Sequence, residues 1–348
     1  MSSELQHTIA DLRDWLATRM PEARNLQLVD AFEPAQGYSS RTILFNAHWE
    51  ENGESRQRGL VARIQRDVSC PLLADIFHQY HVMKVASQAQ DVLVPAPLFA
   101  QSDPATLGAP FYIMERVHGR VPSDFPSYHA DGWVADLPLE DRARVWWNGV
   151  AAMERLHRID WSAFTSLNAG LSSPPDARFY IQSFIIPWYE WAADGRTFST
   201  IEAGIEELMR LAPAVTRSGL VWNDARMGNT MFSETGEVFA LFDFEVATLG
   251  PAQVDVAGWL YIDEVFSEGF GVAPLPGIPQ GEDARRGFDR IYGYAMPDFS
   301  YYMALAALKH AVISIREYGN DKRQAPAEDH APFAIERMHK YLEEFRKN

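Results

Sequence analysis

The polar residues best suited to chemistry lie in the middle of the chain, on two neighbouring extended segments. The apolar run GLVW leads into Asp224, and Asn229 follows five residues later. The next apolar run, VFALF, ends at Asp243, with Glu245 two residues beyond it. A carboxylate can accept or orient the proton of an attacking hydroxyl, and an amide oxygen with a second carboxylate can hold Mg²⁺ against nucleotide phosphates. These residue types in this order indicate phosphoryl transfer.

Two residues of this region each have two interpretations. Arg226 lies two residues beyond Asp224, where its guanidinium could neutralise charge on a transferring phosphate or could form a structural salt bridge. Glu245 could be a further metal ligand or could hold its loop by hydrogen bonds. We include Arg226 among the predicted catalytic residues and Glu245 among the predicted metal ligands.

Length and composition indicate a folded protein with two domains or two lobes. The chain has 348 residues, is 47% hydrophobic and contains one cysteine, Cys70, which excludes an internal disulfide. A formal net charge of -16 without a run of Lys or Arg argues against a nucleic-acid partner. The apolar stretch 303–315 contains Lys309 and His310 and is too short to cross a bilayer. The start carries Glu4 and no apolar core of signal-peptide type, so we expect a cytoplasmic protein without a membrane segment.

The hydrophobic patterns divide the chain into three parts. Residues 1–24 have apolar positions at helical spacing and predict an amphipathic helix that packs on the rest. Residues 25–117 are rich in β-branched and aromatic residues and contain one helix, predicted to begin near Ser69 and Pro71. Residues 118–348 are mostly helical apart from short extended pieces joined by the turn SETGE. The predicted extended runs are 42–49, 59–64, 92–99, 110–117, 220–232 and 238–244.

Several segments together resemble the aminoglycoside phosphotransferases and their relatives, including choline and homoserine kinases, over roughly residues 25–320. The branch that the chain is most similar to comprises phosphotransferase domains found beside acyl-CoA dehydrogenases. The resemblance is carried by QGYSSRTILF, LVPAPLF, GAPFYIMERVHGR, the helix ending in RLHRID, and the segments around Asp224 and Asp243. Asp, four intervening residues, Asn, and then Asp on the next hairpin is also the order in protein kinases.

The resemblance implies an α+β fold of protein-kinase type. It would have a small antiparallel-sheet lobe with one helix, a hinge near Glu115, a larger helical lobe, and nucleotide bound between the lobes. By position, Asp224 would be the base, Asn229 and Asp243 would bind the metal, and Asp255 would be a buried acid that braces the catalytic loop. The strand before the hinge would present adenine through Met114, Glu115 and Val117.

Three departures from the family pattern stand out. Trp222 and Asn223 replace His-Gly ahead of the catalytic Asp, and a Trp can take over the packing of that His but not both of its hydrogen bonds. Arg63 replaces the Lys that contacts nucleotide phosphates, which a bidentate guanidinium can also do. Gln79 stands where a Glu would pair with that cation, so either Gln79 or Asp75 would have to interact with Arg63.

The loop 36–42 contains a single Gly, so contacts to phosphates there would depend on Ser39, Ser40 and backbone N–H groups. An ordinary hairpin turn is the alternative interpretation of this loop. His157, in RLHRID, is expected to pack or to cap a helix and not to catalyse.

The sequence thus predicts transfer of the γ-phosphoryl group of ATP or GTP to a hydroxyl of a small molecule, with Mg²⁺. Two alternatives stay open. One is a kinase-like protein that binds nucleotide or metabolite without transferring phosphate, and the other is a two-carboxylate metal hydrolase that acts without nucleotide. The sequence contains no indication of the identity of the acceptor or of the oligomeric state.

Overall fold

The structure is a computed structural model that describes residues 2–34, 40–67, 69–73, 75–214, 217–319 and 331–347, with the backbone alone for 316–319. It divides into two compact units, Met1–His118 and Gly119–Asn348. The predicted α+β class is confirmed, because an antiparallel sheet dominates the first unit and helices dominate the second. Among the described residues, no helix is long and apolar enough to span a membrane.

The first unit begins with α1 (Ser3–Arg19), which Ser2 caps by accepting a hydrogen bond from the backbone N–H of Leu5 at 3.2 Å. One face of α1 is buried in a core that it shares with the sheet, and Trp15 meets Phe111 edge to face at 4.7 Å between ring centroids. The predicted amphipathic helix and its packing role are therefore confirmed. The buried residues of this face are Leu5, Ile9, Leu12, Trp15 and Leu16.

The sheet of the first unit has the strand order β1-β2-β3-β5-β4 and is antiparallel throughout. Its strands are β1 (Arg24–Phe32), β2 (Ser40–Glu51), β3 (Glu54–Gln65), β4 (Pro97–Gln101) and β5 (Phe111–Glu115). The prediction of a strand over 92–99 is wrong in its first half, because β4 begins only at Pro97. The segment ahead of it contains Pro95, whose missing N–H disfavours a place inside a sheet.

The helix of the first unit, α2 (Ile76–Ala86), begins later than predicted. Asp75 is its N-cap and accepts a hydrogen bond from the N–H of Phe77 at 2.8 Å, whereas Pro71–Leu73 forms only a short 3₁₀ turn. A proline suits the first position of either kind of turn, so the sequence signal at Pro71 did not distinguish them. Gln79 is buried, and its side-chain oxygen accepts a hydrogen bond from the hydroxyl of Tyr112 at 2.7 Å.

The second unit is built mainly from helices. They are α3 (Leu139–His157), α4 (Ala177–Tyr180), α5 (Ile186–Ala193), α6 (Ser199–Leu211), α7 (Gln253–Phe266), α8 (Gly281–Tyr292), α9 (Phe299–Gly319) and α10 (Pro332–Lys347). A π-helical turn, Ile181–Ile185, joins α4 to α5. Its core contains large aromatic side chains, and α3 approaches α7 so closely that a Cβ at Gly149 would overlap the ring of Trp259.

Two short antiparallel strand pairs interrupt these helices. β6 (Ser218–Val221) pairs with β9 (Thr248–Pro251), and β7 (Thr230–Phe232) pairs with β8 (Val238–Leu241). The turn SETGE between β7 and β8 is confirmed: Ser233 Oγ accepts from the N–H of Glu237 at 3.0 Å, and Gly236 has a positive φ of 83°. The predicted extended run 220–232 is wrong in its middle, where a loop and the 3₁₀ turn Met227–Asn229 separate β6 from β7.

The second unit also contains a half-buried titratable group, His310 on α9, which gives a testable pH dependence. Burial, reinforced by the neighbouring Lys309 charge, lowers the pKa of His310 to about 4. Because an unfolded chain holds this imidazole at a pKa of about 6.5, it takes up the proton first as pH falls. The neutral ring should therefore make its full contribution to the free energy of unfolding above about pH 6.5. As pH falls from there toward 4, the free energy of unfolding should decrease by about 3 kcal/mol at most.

We predict that His310→Leu flattens the pH dependence of the free energy of unfolding between about pH 4.5 and 7.5, measured by urea titration. His339→Leu, at an exposed position of α10, should leave the wild-type slope unchanged. Equal slopes for the two variants would contradict the assignment.

Candidate active site

Asp224 lies in the loop that follows β6, and its carboxylate is 37% exposed. Asn229, at the end of the same loop, donates its side-chain N–H groups to the backbone oxygen of Asp224 at 3.0 Å and to its carboxylate oxygen Oδ2 at 2.5 Å. The residues predicted as base and as metal ligand are therefore in direct contact. The 3₁₀ turn Met227–Asn229 makes the chain between Asp224 and Asn229 compact, and this places the Asn229 side chain against Asp224.

Asp243 is placed beside Asn229 by the hairpin of β7 and β8. Thr230 is paired with Leu241, and the N–H of Phe242 donates to the backbone oxygen of Asn229 at 3.1 Å. Asp243 follows at once, with a left-handed φ of 66° that ends the strand and turns the chain. Glu245 is half-buried in the turn two residues further on.

The donor set of this loop suits a hard divalent cation. Because the amide nitrogen of Asn229 faces Asp224, its amide oxygen is directed away from that carboxylate. An amide oxygen and a carboxylate, here those of Asn229 and Asp243, are the kind of ligands that Mg²⁺ accepts in phosphoryl-transfer sites. Among the described residues, no group of three or more His, Cys, Asp or Glu could hold a metal alone. A metal here would need the Asn and oxygens from substrate phosphates or water.

Arg226 is surrounded by carboxylates. Its Nε lies 3.2 and 3.3 Å from the two carboxylate oxygens of Asp224, and its Nη1 donates to Asp124. Burial alone would lower the pKa of the guanidinium, but Asp224, Asp124 and Asp243 outweigh it, so that the pKa is raised and the charge is retained. A Cβ at Gly228 would overlap both Arg226 and Asp124, so only glycine leaves space for this ion pair. Sequence reasoning missed Asp124 because nothing in VPSDFP marks it for this contact.

The loop that carries Asp224 is anchored by Asp255 on α7. This carboxylate is almost fully buried and accepts hydrogen bonds from the N–H groups of Trp222 at 2.6 Å and Asn223 at 2.7 Å. Nε2 of His157 lies 2.8 Å from the same carboxylate, and Nδ1 of His157 lies 2.8 Å from the hydroxyl of Tyr292. The predicted bracing role of Asp255 is confirmed. His157, predicted to pack or to cap a helix, is buried at the end of α3 and contacts this carboxylate.

Trp222 and Asn223, which replace His-Gly of the family pattern, are both buried. The indole N–H of Trp222 is shared between the backbone oxygens of Phe242 and Asp243 at 3.0 and 3.1 Å, and its ring stacks on Phe244. Trp222 thus supplies packing and one donor, as expected. Asn223 has a left-handed φ of 73°, a conformation that glycine adopts without cost and that Asn tolerates better than most residues.

A further residue, Lys309 on α9, donates to the backbone oxygen of Asn223 and was not predicted as a site residue. The sequence signal was its charge inside the mostly apolar stretch 303–315.

The residues predicted to contact nucleotide lie in the first unit. Arg63 is half-buried on β3, opposite Thr42 on β2 and Tyr112 on β5. Ser39 lies outside the described residues. Ser40, at the start of β2, is buried, and its hydroxyl has no hydrogen-bond partner among the residues that the structure describes.

Met114 and Glu115 end β5, and Val117 follows two residues later; all three are half-buried. The N–H of Glu115 donates to the backbone oxygen of Ala96 at 3.0 Å, and that of Arg116 donates to the backbone oxygen of Gly59 at 3.0 Å. These two amides are used within the protein, so any backbone donor to adenine has to come from elsewhere in the stretch.

The chain belongs to the phosphotransferase enzyme family, whose model matches residues 32–294. The predicted family is confirmed by this match. Acyl-CoA dehydrogenase family member 10 of Mus musculus is 31% identical over 185 residues, which cover 52% of this chain and 16% of that protein. Family member 11 of Rattus norvegicus is 25% identical over 237 residues, covering 64% and 28%. The chain thus spans less than a third of the length of these relatives. The matches to acyl-CoA dehydrogenase family members confirm the predicted branch.

Solved structures support the fold. A Ralstonia eutropha protein assigned to the aminoglycoside phosphotransferases superposes with a TM-score of 0.67 at 21% identity, covering 97% of this chain and 98% of that one. An aminoglycoside phosphotransferase in complex with ADP and hygromycin B gives 0.57 at 19% identity, covering 96% and 98%. Plasmodium vivax ethanolamine kinase gives 0.56 at 10% identity, covering 95% and 85%. The predicted kinase-like fold is confirmed by these similarities.

The anchoring role of Asp255 leads to a stability prediction. Asp255→Asn replaces one acceptor oxygen by an N–H group facing another N–H, so we expect the free energy of unfolding to fall by about 3 kcal/mol. Asp160→Asn is the matched control, because Asp160 is an exposed N-cap that Asn can replace. Urea unfolding measures both, and equal losses would contradict a special role of Asp255.

Proposed function

We propose that the protein is a small-molecule phosphotransferase that moves the γ-phosphoryl group of ATP or GTP to a hydroxyl of its acceptor. The observation that carries this proposal is the direct contact of Asn229 with Asp224, with Asp243 next to Asn229 across the hairpin. It joins a base to an amide oxygen and a second carboxylate at one loop, which is the minimal set for phosphoryl transfer. Membership of the family supports the reaction class.

In the proposed reaction, Asp224 accepts a hydrogen bond from the acceptor hydroxyl and takes its proton. The hydroxyl oxygen forms a bond to the γ-phosphorus, while the bond from that phosphorus to the bridging oxygen breaks and the nucleoside diphosphate leaves. Asn229 orients Asp224 through its amide N–H groups, so that the carboxylate keeps one direction. Most of the rate gain would come from this positioning and from charge neutralisation.

Asn229, Asp243 and Glu245 are the proposed metal ligands. When bound, Mg²⁺ would neutralise negative charge on the nucleotide phosphates. Arg226 is proposed to act beside it, with its guanidinium held against Asp224 by the second ion pair to Asp124. A guanidinium fixed in this way can meet a phosphate oxygen without first losing side-chain freedom.

For the first unit we propose nucleotide contacts at six positions. Arg63 would meet phosphate, and Ser40 would offer a hydroxyl that the described part of the protein leaves without a partner. These contacts are supported by the resemblance and by the half-buried positions of Arg63, Met114, Glu115 and Val117. The full proposed set is Ser39, Ser40, Arg63, Met114, Glu115 and Val117.

We infer a small-molecule acceptor that carries a hydroxyl group. Structural relatives include a protein crystallised with hygromycin B, a macrolide 2'-phosphotransferase and an ethanolamine kinase. These compounds share a hydroxyl but little else, and the hydroxyl is therefore the group that we assign to the acceptor. We also propose a cytoplasmic location, where ATP is available, and no nucleic-acid partner, in view of the net charge of -16.

The proposal is tested by incubating the protein with Mg·ATP and a metabolite library, followed by mass spectrometry for an added phosphoryl group. Transfer to a hydroxyl compound is the expected result. Nucleotide binding without transfer would favour the alternative, a kinase-like binding protein, for which the loss of the family's His at Trp222 is the supporting observation. A thermal shift with ATP tests binding separately, because a ligand at a hundred times its dissociation constant stabilises by about 2.7 kcal/mol.

We predict that Asp224→Asn lowers kcat by a factor of about 10²–10⁴, because the amide cannot take the proton of the acceptor. The dissociation constant for Mg·ATP, measured by calorimetry, should change little. Asp131→Asn is the control, since Asp131 is exposed and its carboxylate accepts from the N–H of its neighbour Gly132. Wild-type turnover in Asp224→Asn would refute the assignment.

A further inference from the structure

Lys309 lies where a charge is costly. It is in the middle of α9, between Leu308 and Ala311, which are both buried, and it is itself only partly exposed. Taking an ammonium out of water is unfavourable unless hydrogen bonds and opposite charges compensate. Burial accordingly lowers the pKa of Lys309, and the carboxylates of Asp224 and Asp255 act against that effect.

The compensation comes from one residue of the active-site loop. Nζ of Lys309 donates to the backbone oxygen of Asn223 and lies 3.3 Å from its side-chain oxygen. A lysine offers three donors on a flexible stem, so it can serve both oxygens at once. The ammonium thus meets the residue that directly precedes Asp224.

Asn223 is held at each of its polar groups. Its N–H donates to Asp255 at 2.7 Å, and its side-chain N–H donates to the backbone oxygen of Val246 at 2.8 Å. Its side-chain oxygen accepts from the hydroxyl of Tyr180 at 2.7 Å, and its backbone oxygen accepts from Lys309. These contacts stabilise a left-handed backbone that is unfavourable for a residue with a Cβ.

The backbone oxygen of Asn223 belongs to the peptide group that leads into Asp224. Fixing that oxygen fixes the plane of the peptide, and the plane decides the direction in which the Asp224 side chain leaves the backbone. Without the ammonium, this peptide could turn, which changes ψ of Asn223 and φ of Asp224.

We propose that Lys309 is a positioning residue for Asp224: its ammonium holds the peptide between Asn223 and Asp224 in the orientation that aims the carboxylate at the acceptor. This inference rests on the proposed function, because it takes Asp224 as the catalytic carboxylate.

The first test compares Lys309→Met with His310→Leu by hydrolysis of Mg·ATP at about pH 8, well above the ordinary pKa of histidine. Met keeps the length and packing of the stem but removes the donors, so we expect kcat to fall by about 10- to 100-fold through misplacement of Asp224. The KM for ATP should stay within about twofold. His310→Leu changes the next residue of the same helix, whose ring contacts the hydroxyl of Tyr261, and should leave both constants near wild type. A rise in the KM for ATP with kcat unchanged would overturn the proposal.

The second test repeats Lys309→Met in an Asn223→Gly background. Glycine adopts the left-handed conformation without strain and lacks the side-chain oxygen that Lys309 approaches. It keeps the backbone oxygen to which Lys309 donates, so the same change should again lower kcat by about 10-fold or more in this background. A loss of no more than about threefold would mean that Lys309 acts through the side chain of Asn223 and not through the peptide, and the proposal would be wrong.

Urea unfolding of wild type, the two single variants and the double variant separates this inference from the proposed function. The shift of the unfolding midpoint caused by Lys309→Met should be smaller in the Asn223→Gly background than in wild type, whether or not ATP is hydrolysed. If wild type hydrolyses no ATP and transfers no phosphate, the phosphotransferase proposal fails. Non-additive midpoint shifts would even then support the stabilising contact between Lys309 and Asn223. Additive midpoint shifts would overturn the Lys309 proposal alone.

Discussion

The active-site loop depends on one buried carboxylate. Asp255 accepts two consecutive backbone N–H groups, those of Trp222 and Asn223, and thereby turns the chain as it leaves β6. Burying a carboxylate is costly, but hydrogen bonds from backbone donors and a histidine offset much of the cost. These hydrogen bonds fix the position at which β6 ends. The residue after the turn, Asp224, therefore lies next to Asn229. Because His157 on α3 also contacts Asp255, the loop is tied to two helices.

Two left-handed residues complete this geometry. Asn223 immediately precedes the proposed base, and Asp243 is a proposed metal ligand, with φ of 73° and 66°. Asn and Asp are the residues other than glycine that adopt this conformation most readily, because their short side chains can bind nearby backbone groups. At Asn223 this is visible in the hydrogen bond to Val246. Asn223 is thus a residue that needs external contacts in this conformation and receives them.

The parts of the site that the sequence predicted are those that are close along the chain. Asp224, Asn229 and Asp243 are joined by one loop and one hairpin, so their spacing almost determines that they meet. The fold class was also accessible, because alternating and helical periodicities separate the two units. Residues brought in from other elements were not predictable: Asp124 is 102 positions from Arg226, and Lys309 is 86 positions from Asn223. A local pattern carries no information on such contacts.

The charge balance around Arg226 supports the proposal that this loop binds a cation. Three carboxylates, of Asp224, Asp124 and Asp243, raise the pKa of one guanidinium against the opposing effect of its burial. The three carboxylates outnumber the guanidinium and the nearby ammonium of Lys309, so the cluster retains an excess of negative charge in a partly buried place, where water screens it weakly. Arg226 relieves the repulsion between Asp224 and Asp124, because it is paired directly with both. A divalent cation bound beside Asp243 would reduce the remaining repulsion, and the negative phosphates of a nucleotide would then be attracted to a site that otherwise repels them.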